Sequence, residues 1–270
     1  MVRFPGCKIN LGLRVLAKRT DGFHDIETIF YPIKWNDVVE IIPSTSTGKF
    51  STSGIEIDGN GTSNLCLKAY NLLKQDFPLL PNCDFHLHKN IPIGAGLGGG
   101  SADASSVLLM LNEMFELNIS MSQLENHATL LGSDCPFFIH NKPMLATGRG
   151  EVLSPIDVSL KNHAIVLINP GIVINTKWAF STLVLQQHDD TSLDDMIKLP
   201  IESWQDKLKN DFEIPIFSAH PEIAAVKEKL LTAGTLYSSM SGSGSTVFGI
   251  FKKKIDLQEK FPTSYILHWV

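Results

Sequence analysis

Pro92-Ile93-Gly94-Ala95-Gly96-Leu97-Gly98-Gly99-Gly100-Ser101-Ala102 is the stretch around which the rest of the chain falls into place. Five glycines in the eight positions from Gly94 to Ser101 let backbone approach a ligand closely, since no Cβ intervenes and positive φ carries no steric cost. The run leads without a break into 101–115, which has the length and apolar content of a helix. Successive N–H groups and the positive helix end then favour a bound anion. A flexible linker is the plain alternative, and a linker does not usually feed an apolar helix directly.

The type of anion is narrowed by what the run lacks. Gly94, Gly96 and Gly99 satisfy G-x-G-x-x-G, but the dinucleotide version of that motif needs an acid about 20 residues on, closing the next strand. Glu113 and Glu116 instead fall within or at the end of the helix. No lysine follows the glycines as a Walker A loop requires.

Outward from the loop, Cys7, Ile9, Leu11, Leu13 and Val15 alternate with Lys8, Asn10, Gly12 and Arg14, a period of two that predicts a strand. Asp21-Gly22 signals a turn, and 26–33, 37–42, 54–57 and 84–88 are further short strands, which makes the first third largely antiparallel β. A helix is expected over 64–77 from the stripe Leu65, Ala69, Leu72, Leu73 and Phe77. Ser122 to Glu125 forms a capping box for another, closed by Gly132. A buried strand is expected at 164–169, and 186–192 is polar enough for a surface crossing. The tail is expected to hold a helix at 222–233, strands at 236–239, 246–251 and 264–270, and a second glycine loop at Ser241-Gly242-Ser243-Gly244-Ser245. Together these predict an α+β chain of two domains, 1–154 and 155–270.

Hydrophobic residues make up 43% and charged residues 19%, a globular composition. Cys7, Cys66, Cys83 and Cys135 form no C-x-x-C pair, which disfavours zinc and a disulfide framework and suits a reducing cytoplasm. No membrane helix or signal peptide is expected. A net charge of −5 opposes a polyanionic partner, so nucleic-acid binding is not expected.

The loop resembles the P-x-x-x-G-L-G-[GS]-[GS]-[SA] motif of the GHMP kinases. Six further segments carry the likeness in the family's order: Lys8-Ile9-Asn10-Leu11, Arg19 to His24 with Glu27-Thr28, Gly132 to Phe138, Ala146 to Glu151, Asn210 to Glu213, and Ser241 to Thr246. The resemblance implies a first domain like domain 2 of ribosomal protein S5 and a ferredoxin-like second domain. It also implies ATP and Mg2+ as cofactors. The Arg19 to His24 segment is similar to that of members whose acceptor is a cytidine diphosphate methylerythritol, phosphorylated on its 2-hydroxyl in the non-mevalonate isoprenoid route. Members acting on mevalonate, homoserine or a sugar lack that turn, and a non-catalytic RNA-binding protein is the rival from another class.

Site residues follow from the same likeness. Lys8 is implied to sit beside the accepting hydroxyl, where an ammonium favours charge on the attacking oxygen, and Asp134 to accept its proton. Without the likeness, Lys8 and Asn10 would be a solvated strand face and Asp134 a helix N-cap. Phe23, His24 and Phe180 are implied to hold the cytidine ring, with Asn10 and Thr176 also on the acceptor. Phe23 stands where tyrosine is common. ATP is assigned to Asn64, Lys89, Pro92, Gly94, Gly96, Leu97, Gly98, Gly99, Gly100, Ser101 and Ala102. A helix-capping Asn64 and a solvent-facing Lys89 are the ordinary alternatives. Ser101 matches a loop serine that binds Mg2+ in relatives; no glutamate is singled out.

Overall fold

A computed structural model describes residues 1–57, 64–188 and 190–270. Its elements begin with strands β1 (Val2–Arg3), β2 (Cys7–Lys18), β3 (His24–Ile33), β4 (Val38–Pro43) and β5 (Phe50–Gly54), then helix α1 (Leu65–Asp76) and β6 (Cys83–Lys89). The middle holds α2 (Gly99–Met114), α3 (Met121–Leu131), α4 (Cys135–His140), β7 (Met144–Thr147), β8 (Val152–Pro155) and β9 (Ala164–Asn169). Short helices α5 (Thr176–Ser181), α6 (Leu193–Ile197), α7 (Trp204–Lys207) and α8 (Glu213–Ala219) precede α9 (Pro221–Thr232), β10 (Tyr237–Met240), β11 (Val247–Phe251) and β12 (Ile266–Trp269). Of the expected surface crossing at 186–192, Asp189 lies outside the described residues.

Two compact units are woven rather than sequential. The first comprises Met1–Cys7, Lys34–Ile93 and Gly98–Lys142; the second comprises Lys8–Ile33, Gly94–Leu97 and Pro143–Val270. The expected domains 1–154 and 155–270 are contiguous, whereas each compact unit is assembled from three segments, and the strands of the β2 sheet group with the C-terminal half.

In the first unit a four-stranded sheet runs in the order β1-β4-β6-β5. Its pairs are antiparallel except β5 with β6, which is parallel. Alternation in β6 buries Cys83, Phe85 and Leu87, and β4 adds Val39 and Ile41. They meet Cys66, Ala69 and Leu73 of α1 and Ala104, Val107, Leu108 and Leu111 of α2, spaced three and four apart as a helix face requires. The strand expected at 54–57 lies instead at Phe50–Gly54. The capping box of α3 is formed by Ser120 and Gln123 rather than Ser122 and Glu125. Gly132 does close that helix, its N–H bonding to Ala128.

The second unit contains a sheet ordered β2-β3-β7-β8 and another ordered β10-β11-β9-β12. The second sheet is antiparallel throughout, and Val166, Ile168, Met240 and Val247 from it pack on Ile216 of α8 and Ile223, Val226 and Leu230 of α9. This helix-on-antiparallel-sheet layering is α+β, as expected from the sequence. Among the described residues no helix is long and apolar enough to cross a membrane.

Candidate active site

In the second unit β2 is buried on both sides. Lys8 is 3% exposed and Asn10 1%, so the polar half of the alternation is not a solvated face. Lys8 Nζ donates to Asn10 Oδ1 at 2.8 Å and to the Gly96 carbonyl at 2.9 Å, and it lies 5.2 Å over the Phe30 ring. Asn10 Nδ2 donates to Thr28 Oγ1, whose hydroxyl donates to the Gly12 carbonyl. This chain fixes which way the Asn10 amide faces and hence where the ammonium sits.

The second glycine loop completes this cluster. Ser241 Oγ donates to the Gly96 carbonyl at 2.9 Å, and Asn210 Nδ2 donates to the carbonyls of Met240 and Gly242. Gly96 has φ +77°, and a Cβ there would lie 1.9 Å from the Ser241 carbonyl oxygen. Only glycine fits.

The turn at 19–24 is built by polar groups around Gly22, φ +87°. Asp21 Oδ1 accepts the Phe23 N–H, and Arg19 pairs with Asp21 and Asp25. That backbone hydrogen bond, with the Arg19 guanidinium, holds the Asp21 carboxyl below its ordinary value. Phe23 is 51% exposed, with the Arg149 guanidinium 4.7 Å over its ring. His24 stacks on Phe180, and Phe180 meets Phe212 edge-on at 4.9 Å. Burial, then the charge of Lys18, lowers the His24 pKa. Asn175 caps the helix that presents Phe180, and Thr176 Oγ1 lies 3.3 Å from Ser243 Oγ.

In the first unit the loop becomes helix earlier than expected: α2 starts at Gly99, with Gly98 at φ 70° as its N-cap and no side chain capping it. Ala102 N–H bonds to the Gly98 carbonyl, so Gly99, Gly100 and Ser101 form a first turn whose amides suit an anion. Asp134 precedes α4 at the N-cap position but makes no capping hydrogen bond with its side chain. The start of α4 is tied to α2: Ser105 Oγ donates to the Cys135 carbonyl at 2.7 Å. Burial pushes the Cys135 thiol up to about 12, opposed by the hydroxyls of Ser101 and Ser105. Asp134 is thus held next to the residue that the loop's exit touches.

The family models match on both sides of residue 155: the GHMP kinases N terminal domain over residues 64–142 and the GHMP kinases C terminal domain over 184–265. The chain belongs to the GHMP kinases. Among curated relatives, the 4-diphosphocytidyl-2-C-methyl-D-erythritol kinase of Azobacteroides pseudotrichonymphae genomovar. CFP2 is 50% identical over 94% of each chain. That of Bacteroides fragilis (strain YCH46) is 46% identical over 97% of each. A crystal structure of 4-(cytidine 5'-diphospho)-2C-methyl-D-erythritol kinase superposes with a TM-score of 0.75 at 32% identity, covering 93% of this chain and 90% of its own. A mevalonate kinase structure, 11% identical with a TM-score of 0.70, shares the fold.

Two of the residues assigned to ATP in this GHMP kinase are otherwise engaged. Asn64 is the N-cap of α1, its side-chain oxygen accepting the Cys66 N–H. Lys89 is 4% exposed and paired with Asp37 and Asp103, which overturns the solvent-facing alternative. Thr28, Asn210 and Ser241 are the cluster members that sequence reasoning gave no role. Each lay inside a recognised segment, so the segment was visible and the contact was not.

Proposed function

We infer that this GHMP kinase transfers the γ-phosphoryl group of ATP to the 2-hydroxyl of 4-diphosphocytidyl-2-C-methyl-D-erythritol, giving the 2-phosphate and ADP. The names of the relatives give the acceptor, and the observation that carries the chemistry is the buried Lys8 ammonium, fixed by Asn10 and the loop carbonyl of Gly96. Phosphoryl transfer asks a protein mainly for positioning and charge stabilisation. Lys8 favours negative charge on the attacking oxygen, and Asp134 accepts the hydroxyl proton. The amides of Gly99, Gly100 and Ser101 hold phosphate oxygens, with Pro92, Gly94, Gly96, Leu97, Gly98 and Ala102 shaping the loop. Asn64 is assigned to the nucleoside. His24 and Phe180, with Phe23, supply flat faces for cytosine, and Thr176 and Asn10 polar contacts to the acceptor.

Magnesium belongs to this reading. Among the described residues no group of three or more His, Cys, Asp or Glu could hold a metal. Ser101 is the protein oxygen that would hold it, and its charge would offset that of the phosphates. Cys66, Cys83 and Cys135 stand outside any disulfide, which suits a reducing cytoplasm, and the partners in this reading are small molecules.

Acceptor-dependent ADP release with Mg-ATP, run across this acceptor, mevalonate, homoserine and galactose, tests the reading. Turnover confined to the cytidine-linked alcohol is expected. Turnover with another acceptor instead would sink it.

A further inference from the structure

We propose that Asp37, Lys89 and Asp103 are positioning residues that staple together the two ends of the phosphate loop. The proposal rests on the nucleotide reading of that loop, and all three residues lie in the first compact unit. Asp37 Oδ1 accepts the N–H groups of Asn90 at 2.6 Å and Ile91 at 2.8 Å, which fixes the backbone just before Pro92. Its other oxygen pairs with Lys89 Nζ. Lys89 Nζ also donates to Asp103 Oδ2 at 2.8 Å, and Asp103 sits on α2 directly after Ala102. One ammonium therefore joins the strand that enters the loop to the helix that leaves it.

The loop is packed against this staple. A Cβ on Gly99 would lie 3.0 Å from Lys89 Nζ and 3.1 Å from Ile91 Cγ2, so the first helical residue, whose amide is assigned to phosphate, rests on the ammonium. Three ionisable groups are buried, with Asp37, Lys89 and Asp103 at 0%, 4% and 2% exposure. Apolar residues of similar size often give equal or greater stability at such positions. What an apolar trio lacks is direction, which a short chain of charge-assisted hydrogen bonds provides. Asp103 Oδ1 is buried with no hydrogen-bond partner, a cost that stability alone does not explain. On this account Lys89 serves ATP by holding the loop, and its ammonium is directed to Asp37 and Asp103 rather than to the nucleotide.

The test uses the full chain with Lys89→Met, Asp103→Ala, Asp103→Asn and the double variant Lys89→Met/Asp103→Ala. KM for ATP, KM for the acceptor, kcat, ADP binding by calorimetry and the melting temperature are measured for each. Lys89→Met and Asp103→Ala should each raise KM for ATP by about 10- to 100-fold, the range that a misplacement on the order of an ångström produces, with acceptor KM unchanged. The double variant should be no worse than Lys89→Met, because residues in one network are not additive. Asp103→Asn keeps an oxygen for Lys89 and should recover most of the ATP affinity. Should Lys89→Met fail to fold, Asp103→Ala carries the same expectation. Loss of ATP affinity in Lys89→Met alone, with Asp103→Ala normal, would mean that Lys89 touches the nucleotide and overturn the staple. Lower melting temperatures with KM for ATP unmoved would overturn it too, as a purely structural trio. Wild-type protein that binds no ADP removes the loop reading itself, which tells the two failures apart.

Discussion

The His24 and Phe180 rings lie face to face, 4.8 Å between centroids with 20° between planes. They come from the first residue of β3 and from a six-residue helix far along the chain, and Phe212 braces the second ring from its edge. Two parallel flat faces at this separation are already in contact. A base that used both would slide between them, and one that used a single face would lie against the outer side of the stack.

Phe180→Ala removes one face in either case. Base stacking on an aromatic ring is worth about 1–3 kcal/mol, so acceptor KM should rise by roughly 5- to 150-fold, with KM for ATP unchanged in the same assay. The stack is also a source of pH dependence. Burial and Lys18 lower the His24 pKa, so the ring stacks in its neutral form. For a histidine with a depressed folded pKa, the contribution is intact above the ordinary value and is lost as pH falls through the lowered one. Acceptor KM should therefore rise in acid, and it should do so less in His24→Phe.

Lys8→Met tests the other half of the acceptor chemistry. Methionine keeps most of the side chain's apolar stem but leaves Asn10 Oδ1 and the Gly96 carbonyl without this donor. A fall in kcat of about 100- to 1000-fold is expected, the usual effect of losing one donor aimed at developing charge, with little change in ADP binding. Asp134→Asn should lower kcat by about 100-fold or more. A melting temperature measured on the same variant separates this loss of turnover from a loss of folding.

The parts of the site that sequence made legible are those whose chemistry is local. The glycine run, the Asp21-Gly22 turn and Ser241 to Ser245 each announce themselves within a few residues, because tight backbone demands glycine wherever it occurs. Partners distant in sequence stayed hidden. Lys89 is a single lysine ending a strand until Asp37, 52 residues earlier, is folded against it. Helices α6 and α7, of five and four residues, are too short to show a period. Ser120 and Ser122 both open a capping pattern, and the one chosen lets Leu124 and Ala128 be buried. Alternation in β2 gave the strand correctly but not the burial of its polar side, since that depends on the loops that cover it.

Gly96→Ala and Gly22→Ala separate two reasons for glycine. Both positions have positive φ, so each substitution costs about 1–2 kcal/mol of backbone strain. A Cβ at Gly22 meets nothing within 4 Å, whereas one at Gly96 meets the Ser241 carbonyl at 1.9 Å. Gly22→Ala should therefore lower thermal stability slightly and leave activity measurable. Gly96→Ala must push the second glycine loop away and disturb the Gly96 carbonyl that holds Lys8, so kcat should fall by a larger factor than stability alone accounts for. Equal effects of the two substitutions on kcat would show that the contact with Ser241 is incidental.

Asp103 predicts how stability responds to pH. Burial raises its carboxyl from 3.8 to about 7, against the attraction of Lys89 and with Asp37 adding to the rise. Cys66 faces the same group from α1, and its thiol, itself raised mainly by burial, stays neutral through this range. The sign follows from linkage. A carboxyl whose folded pKa lies above its unfolded value favours the folded state most below the unfolded value and loses that contribution as pH rises through the folded one. The Asp103 contribution should therefore decline between about pH 4 and pH 7, set against the stabilising trend of ordinary surface carboxylates. Asp103→Asn removes the titration while keeping an oxygen for Lys89, so the variant should gain stability relative to wild type as pH rises across that window. Chemical denaturation of both proteins at pH 5, 6 and 7 measures the difference, and one that is constant across the three values would show that Asp103 holds a single protonation state throughout.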